Sequence, residues 1–245
     1  MAKRPYLALA HPPGSPAAQQ PDTARTLIER AYAQLRHDIV EGVLAPGEKL
    51  RVEHLKTRYA VGAGTLREAI TRLVSDALVV AEGQRGFRVA EMTIADLQDL
   101  TELRVHIEID ALRRSIRHGD AAWRARLTYA YEELSAFEQP IRPELRQRWE
   151  LLNTRFHEEL ISAHASPWTL RMLRTLARHG ERYRRLAIGS PDSKRDVHAE
   201  HCELYELALA GKEARAALAL EAHIRNTPEH LIRAMGAGRL EFGRG

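Results

Sequence analysis

The chain reads as mainly α: an N-terminal winged helix-turn-helix with a small β-hairpin wing, followed by an all-α antiparallel helical bundle. Three observations predict this. Between residues 55 and 89 two amphipathic helices joined by a glycine-bearing turn lead into two short apolar runs around Glu82-Gly83-Gln84-Arg85. From Thr93 onward every strong apolar pattern has the helical period, and cap residues recur at the spacing of a bundle. That second part has no alternation of strands and helices, no glycine-rich phosphate loop and no nucleophile elbow, so dinucleotide and acyl-transfer chemistry have no seat in it.

Taken in order, residues 1–23 carry Pro12, Pro13, Pro16 and Pro21 and are expected to form a disordered tail, because they cannot bury enough surface to order themselves. A helix over residues 26–41 follows, with Leu27, Ala31, Leu35 and Ile39 four apart, and it stops at Gly42. The turn of the helix-turn-helix spans residues 60–65, where Gly62 can cap or bend the chain at no steric cost. In the next helix Leu66, Ala69, Ile70, Leu73 and Val74 make one apolar stripe, and Thr65, Arg67, Glu68, Thr71 and Arg72 stay off it. A helix held by that stripe can offer its N-terminal turn to a DNA groove. Residues 78–81 and 86–89 read as the two strands of the wing.

This places a DNA-binding domain at residues 24–91. Its candidate contacts are Arg51, Gly64, Thr65, Arg67 and Arg72, with Arg85, Gly86 and Arg88 in the wing. Arg67 is expected to reach a phosphate or a base edge, while Arg51, Arg85 and Arg88 position the module on phosphates. Charge agrees. Residues 1–90 hold 13 Lys+Arg against 9 Asp+Glu and residues 91–245 hold 24 of each, so the net +4 lies wholly in the first segment. A dimer would double the phosphates neutralised.

An all-helical domain is expected over residues 93–236, with a C-terminal tail at 237–245. Its helices are read at 93–119, 120–138, 143–165, 166–189, 192–211 and 212–235, with Thr93, Asp120 and Asp192 among the caps. The one cysteine, Cys202, excludes an intramolecular disulfide and fits a reducing compartment. No stretch has the length and apolarity of a signal or a membrane span, so a cytoplasmic protein without membrane contact is expected.

The histidines carry the chemical signal. Asn153 and His157 are i, i+4 on one helix; His201 and His223 lie on the next-but-one helix and the last, where Leu204, Leu207 and Ala208, and Leu218, Ala219 and Ala222, are taken to mark the buried sides. Three imidazoles and an oxygen ligand would suit zinc, nickel or manganese. Taken singly, each histidine reads sooner as a hydrogen-bonded core or surface residue than as a ligand. His198 and His230 are alternative ligands, and His118 and His179 read as exposed.

Two resemblances extend this. Gly47-Glu48-Lys49-Leu50, Thr65-Leu66-Arg67-Glu68-Ala69-Ile70 and Arg85-Gly86-Phe87-Arg88-Val89 resemble the N-terminal pattern of the GntR family of bacterial transcription regulators, although Ala63 and Gly64 stand where many members carry an arginine and a small hydroxyl residue. Asn153-Thr154-Arg155-Phe156-His157, Glu200-His201 and Ala222-His223-Ile224, with Arg104 and Glu108, resemble the FCD effector domain of the FadR subfamily. That resemblance implies a divalent ion on Asn153, His157, His201 and His223, with Asn153 where many metal-binding members carry Asp. It also implies a pocket for a small carboxylate. Arg104 is the first candidate clamp, because its planar fork can bond both oxygens, although an ion pair with Glu108 one turn on is the competing use. Glu108, Arg155, Tyr183, Arg184 and Asn226 complete the effector candidates. The expected protein is a metabolite-responsive, homodimeric repressor on a pseudo-palindromic double-stranded operator, and not an enzyme. A metal-dependent hydrolase lacks HExxH and paired carboxylates here, and a scaffold that used the winged helix for protein contacts would bind without salt dependence.

Overall fold

The computed structural model describes residues 26–138, 141–188 and 195–236. The tails expected at 1–23 and 237–245, and the helix start expected at Asp192, lie outside them. Helix α1 (Leu27–Val40) opens on a capping box in which Thr26 Oγ1 accepts from the Glu29 amide at 3.2 Å and Glu29 Oε2 accepts from the Thr26 amide at 2.9 Å. Ala31, Leu35 and Ile39 are buried, as their spacing predicts, but Leu27 at the start of the same stripe is 53% exposed, beyond the edge of the core. Helices α2 (Val52–Tyr59) and α3 (Ala63–Ser75) form the helix-turn-helix, and the joint differs from expectation. Ala60, not Gly62, takes the left-handed conformation at φ 51°, and Gly62 fills the capping role expected of it, as the N-cap of α3 at φ −68°. The recognition helix α3 therefore starts two residues earlier, with Gly64 and Thr65 in its first turn. Leu66, Ala69, Ile70 and Leu73 pack against Leu35, Leu55 and Leu78 in the first core.

The wing has three strands, not two. β2 (Val79–Ala81) and β3 (Phe87–Val89) pair antiparallel with Val80 opposite Arg88, and β1 (Lys49–Leu50) adds to the other edge of β3, Lys49 also facing Arg88. A two-residue strand has no period to read, which is why β1 is invisible in the sequence. At the tip, Gly83 and Gly86 sit at φ 59° and 96°, conformations that side chains rarely adopt.

The bundle follows. α4 (Ile94–His118) starts at Thr93, whose hydroxyl accepts from the Asp96 amide at 3.0 Å. It ends at Gly119, where a Cβ would lie 2.0 Å from the ring of Trp123, so glycine is fixed there by close packing. Asp120 caps α5 (Ala121–Ser135) through the Trp123 amide at 2.7 Å. The expected helix at 143–165 is broken: a 3₁₀ turn at Pro143–Leu145 precedes α6 (Arg146–Leu160), and a second at Ser162–His164 closes on Ala165 in the left-handed region. Buried His164 holds that break, its two ring nitrogens meeting the carbonyls of Ile161 and Ser166. α7 (Pro167–Ile188), α8 (Val197–Leu209, capped by Asp196) and α9 (Glu213–Gly236) complete the described helices. The apolar side assigned to α9 needs correction. Leu218 is 67% exposed and Ala222 is exposed, while Ala216, Ala217, Leu220 and Ile224 are buried against α4 and α8. Apolar residues surround most of the first turns of α9, so their spacing alone does not choose a face.

α7 also meets the winged helix. Arg178 pairs with Asp76, the C-cap of α3; His179 Nε2 lies 3.0 Å from the Asp76 carbonyl; and Arg36 on α1 pairs with Glu181. Arg182 donates to the Ala90 carbonyl at 2.8 Å and Arg185 to that of Val40 at 3.0 Å. His179, expected to be exposed, is thus part of this seam. Among the described residues no helix is long and apolar enough to cross a membrane.

Candidate functional site

Three helices bring three imidazoles together. His157 on α6, His201 on α8 and His223 on α9 place one nitrogen each within 4.8 Å of the others, and their ring centroids lie 4.8 to 5.3 Å apart. Two of the rings are aimed by carboxylates. His201 Nδ1 lies 2.8 Å from Glu138 Oε1, and His223 Nδ1 lies 2.7 Å from Glu200 Oε2. A carboxylate accepts only, so each Nδ1 carries a proton and each Nε2 is the atom left to face a ligand. The His201 Nε2 is buried and meets no hydrogen-bond partner. Burial first, and then the neighbouring imidazoles, holds His157 and His223 well below the ordinary imidazole pKa, so both are neutral at pH 7.

The carboxylates are themselves fixed. Glu138 accepts from the Trp149 indole at 2.9 Å, and Glu200 receives Arg195 Nε at 2.8 Å and Asn226 Nδ2 at 2.9 Å. This donor set fits a nitrogen-binding divalent ion: three clustered imidazoles, an orphaned buried nitrogen on His201 and an open cavity beside His157. Ligands about 2.1 Å from one ion lie at most about 4 Å apart, so the rings would draw in by less than about 1 Å.

The cavity beside His157 is about 50 Å³, room for a few water-sized groups. Asn153, buried one turn before His157, lines it together with Arg104, Glu108 and Arg184. Arg104 Nε donates to Glu108 Oε1 at 2.7 Å, so the ion pair anticipated as a competing use and the place in the cavity wall coexist. Arg184 is bound to Glu150 at 3.0 Å. Both guanidiniums pass over Gly180 of α7, where a Cβ would come within 3.2 Å of Arg184 and 3.4 Å of Arg104.

Three expected effector residues are not in this wall. Arg155 points from the outer face of α6 to Glu133 and lies 5.0 Å over the Tyr129 ring. Tyr183 is buried in a separate cluster with Met92, Leu97 and Leu231 and donates to Asp96 Oδ2 at 2.7 Å. Asn226 faces Glu200, behind the histidines. Helical spacing could not separate these from Arg104 and Arg184, since each is polar and lies within a turn or two of a site residue. Glu138 was missed for a different reason: it follows the end of α5, where no periodic pattern marks it. His198 lies 3.4 Å from Glu138 and is not among the three clustered imidazoles.

The DNA-reading candidates form a second, exposed face. Arg51, Gly64, Arg67, Arg72 and Arg85 are exposed and Thr65 is half-buried. The first turn of α3 has no side-chain cap and no acidic residue, which leaves its amides and positive dipole end for a phosphate. Arg72 reaches Glu68 at 3.4 Å. Gly86 keeps the tip turned, and Arg88 is engaged within the wing, its Nε on Glu82 at 2.9 Å and its Nη1 on the Gly47 carbonyl.

With this geometry in view, residues 27–89 match the bacterial regulatory proteins of the gntR family and residues 99–226 match the FCD domain. The chain belongs to the GntR family. Its FadR-like pairing of a winged helix with an FCD domain makes it a DNA-binding transcription regulator. It is 44% identical over 208 residues, 83% of this chain and 84% of the other, to the uncharacterized HTH-type transcriptional regulator BphR of Paraburkholderia xenovorans LB400. It is 33% identical over 212 residues, 84% and 96% of the two chains, to the HTH-type transcriptional repressor GlaR of Escherichia coli K12. Among solved structures, that of E. coli McbR/YncC shares the fold, with a TM-score of 0.68 and 20% identity over 86% of this GntR chain and 99% of that one.

Proposed function

We propose that this GntR regulator is a metabolite-responsive repressor that binds a pseudo-palindromic double-stranded operator as a homodimer through residues 24–91. It is controlled by a carboxylate bound beside a divalent ion in residues 93–236. The observation that carries the reading is the convergence of His157, His201 and His223, two of them aimed by the carboxylates of Glu138 and Glu200, with His157 lining a cavity that Arg104 and Arg184 also wall. The nitrogen-rich donor set favours zinc or nickel over manganese, with Asn153 offering an amide oxygen. The ion, when bound, supplies a Lewis-acidic point for a carboxylate oxygen.

The protein's own groups do the rest. Glu138 and Glu200 orient the rings of His201 and His223, burial keeps His157 and His223 neutral, and Arg104 meets the carboxylate with the Nη atoms left after its Nε bonds Glu108. A ligand so held alters operator affinity only as far as it binds differently to the bundle arrangements that do and do not fit the operator. Arg51, Thr65, Arg67 and Arg85 carry the DNA contact, with Gly64 allowing close approach, Arg72 beside them, and Gly86 and Arg88 shaping the wing.

The test is a duplex selected by the protein from a random pool, its affinity measured over a salt series, together with metal analysis of the purified protein. Salt-dependent binding of a two-fold symmetric sequence and about one zinc or nickel ion per chain are expected. Salt-independent binding, or a wild type and a His157→Ala variant with equal metal content, would overturn the reading.

A further inference from the structure

The histidine cavity does not end at α7. Thr154, Glu158, Arg174 and Ala177 line both it and a wider cleft of about 700 Å³ between α1, α6 and α7, along the seam where the winged helix meets the bundle. The charges in that cleft do not balance. Arg36, Arg174, Arg178 and Arg185 each hold a carboxylate, those of Glu181, Glu158, Asp76 and Glu41, and Glu150 turns to Arg184. Arg146 and Arg148 remain. Both line the cleft from the first turn of α6, and among the described residues neither has a carboxylate partner. The Nε of Arg146 is buried with no hydrogen-bond partner. That turn also contains no acidic residue and no side-chain cap, so the positive end of the α6 dipole adds to the two guanidiniums.

We propose that Arg146 and Arg148 form an outer anion subsite, and that the effector is an elongated molecule with two acidic ends, one at the histidine cavity and one at these arginines. The proposal rests on the effector reading above and deepens it. Arg146 and His157 are 11 residues apart on one helix, about 16 Å along its axis at 1.5 Å per residue. Allowing for the reach of an arginine side chain, the two acidic ends lie on the order of 10 Å apart. A short acid fills the inner cavity and leaves half-buried Arg146 and exposed Arg148 without a counter-charge. A long one meets both ends and, between them, passes the Arg174 and Glu158 pair that separates the two compartments. It then occupies a cleft whose other wall is α1, so its binding depends directly on how the winged helix is seated on the bundle.

The experiment is calorimetric titration of the zinc-loaded full chain with two probe series, straight-chain monocarboxylates and α,ω-dicarboxylates, from about four to about twelve carbons so as to bracket the 10 Å span. The dicarboxylate is expected to bind at least about tenfold tighter than the monocarboxylate of equal length, only among the longer members. In Arg146→Ala/Arg148→Ala that gain should vanish while monocarboxylate affinity is unchanged. Equal affinities of the two series in wild type, a gain already complete in the shortest members, or a gain that survives in the double variant would each overturn the subsite. If neither series binds while zinc does, the carboxylate reading beneath it fails instead; if monocarboxylates bind wild type and not Arg104→Ala, that reading stands on its own.

Discussion

The two working surfaces hold their charges in opposite ways. On the proposed DNA-reading face Arg51, Arg67 and Arg85 are exposed and form no ion pair among the described residues, whereas around the histidines Arg104, His201, His223 and Arg184 are each held by a carboxylate. The difference follows from what each must bind. A duplex presents a continuous row of phosphates, and long cations can settle onto it after contact. A single ion or a carboxylate accepts only a narrow set of directions, so the ligands must be aimed before it arrives. The same contrast separates Arg88 from its neighbours, since a guanidinium bound to Glu82 and Gly47 shapes the wing more than it searches for DNA.

The comparison can be broken most sharply at the pre-aimed end. His157→Ala removes a ligand atom and should weaken zinc binding by more than about 100-fold, beyond the 10- to 100-fold typical of an outer partner, while His118→Ala, far out on the end of α4, should leave it unchanged. Metal content after dialysis reads both. Acid should act in the same direction. His157 and His223 are depressed in the folded protein, so on unfolding they take up protons below the ordinary imidazole value of about 6.5. The unfolded state then binds more protons, and the metal-free protein loses stability as pH falls through that value. Melts at pH about 7.5 and about 5.5 should show the loss, and zinc should raise the melting temperature less at the lower pH because protons compete for the same nitrogens.

Next in size is Glu138→Gln, which keeps the shape but cannot fix the His201 tautomer as a carboxylate does. A 10- to 100-fold loss of zinc affinity is expected, with the fold intact by circular dichroism. At the exposed end, Arg67→Ala should cost about 1 to 3 kcal/mol in operator binding, and Arg85→Ala should weaken all duplexes alike and lower the salt slope by about one. The smallest effect belongs to Arg155→Ala. Its surface pair with Glu133 contributes about 0 to 1 kcal/mol of stability, and neither metal nor ligand binding should change. A Arg155→Ala variant that lost ligand affinity would return that residue to the site.

The sequence was legible where a period or a cap was physically enforced. Leu66, Ala69, Ile70 and Leu73 of α3, Ala31, Leu35 and Ile39 of α1, and the caps at Thr93 and Asp120 fell where expected, because burial and unsatisfied amides leave few residue choices, whereas Leu27 at the open end of its stripe is exposed. The three histidines were legible through family resemblance more than through spacing, for the stripe used to orient His223 pointed to the exposed side of α9. What stayed hidden is what depends on elements far apart in the chain. Glu138 reaches His201 across 63 residues, and Arg178 reaches Asp76 across 102. No local pattern encodes such meetings. The break after α6 was hidden because its agent, His164, acts through backbone carbonyls rather than through periodicity.

The grip of α7 on Asp76 bears on the geometry of operators. Because Asp76 ends the recognition helix and is held at both its carboxylate and its carbonyl, each reading head is clamped to its own bundle, not hung on a tether. In the proposed homodimer, if the bundles form the contact, the distance between the heads is then set by that contact and not by DNA. Half-sites one or two base pairs closer or farther apart rotate out of phase by about a tenth of a turn per base pair. A clamped pair cannot follow that rotation, so tolerance of spacer length measures how firmly the clamp holds.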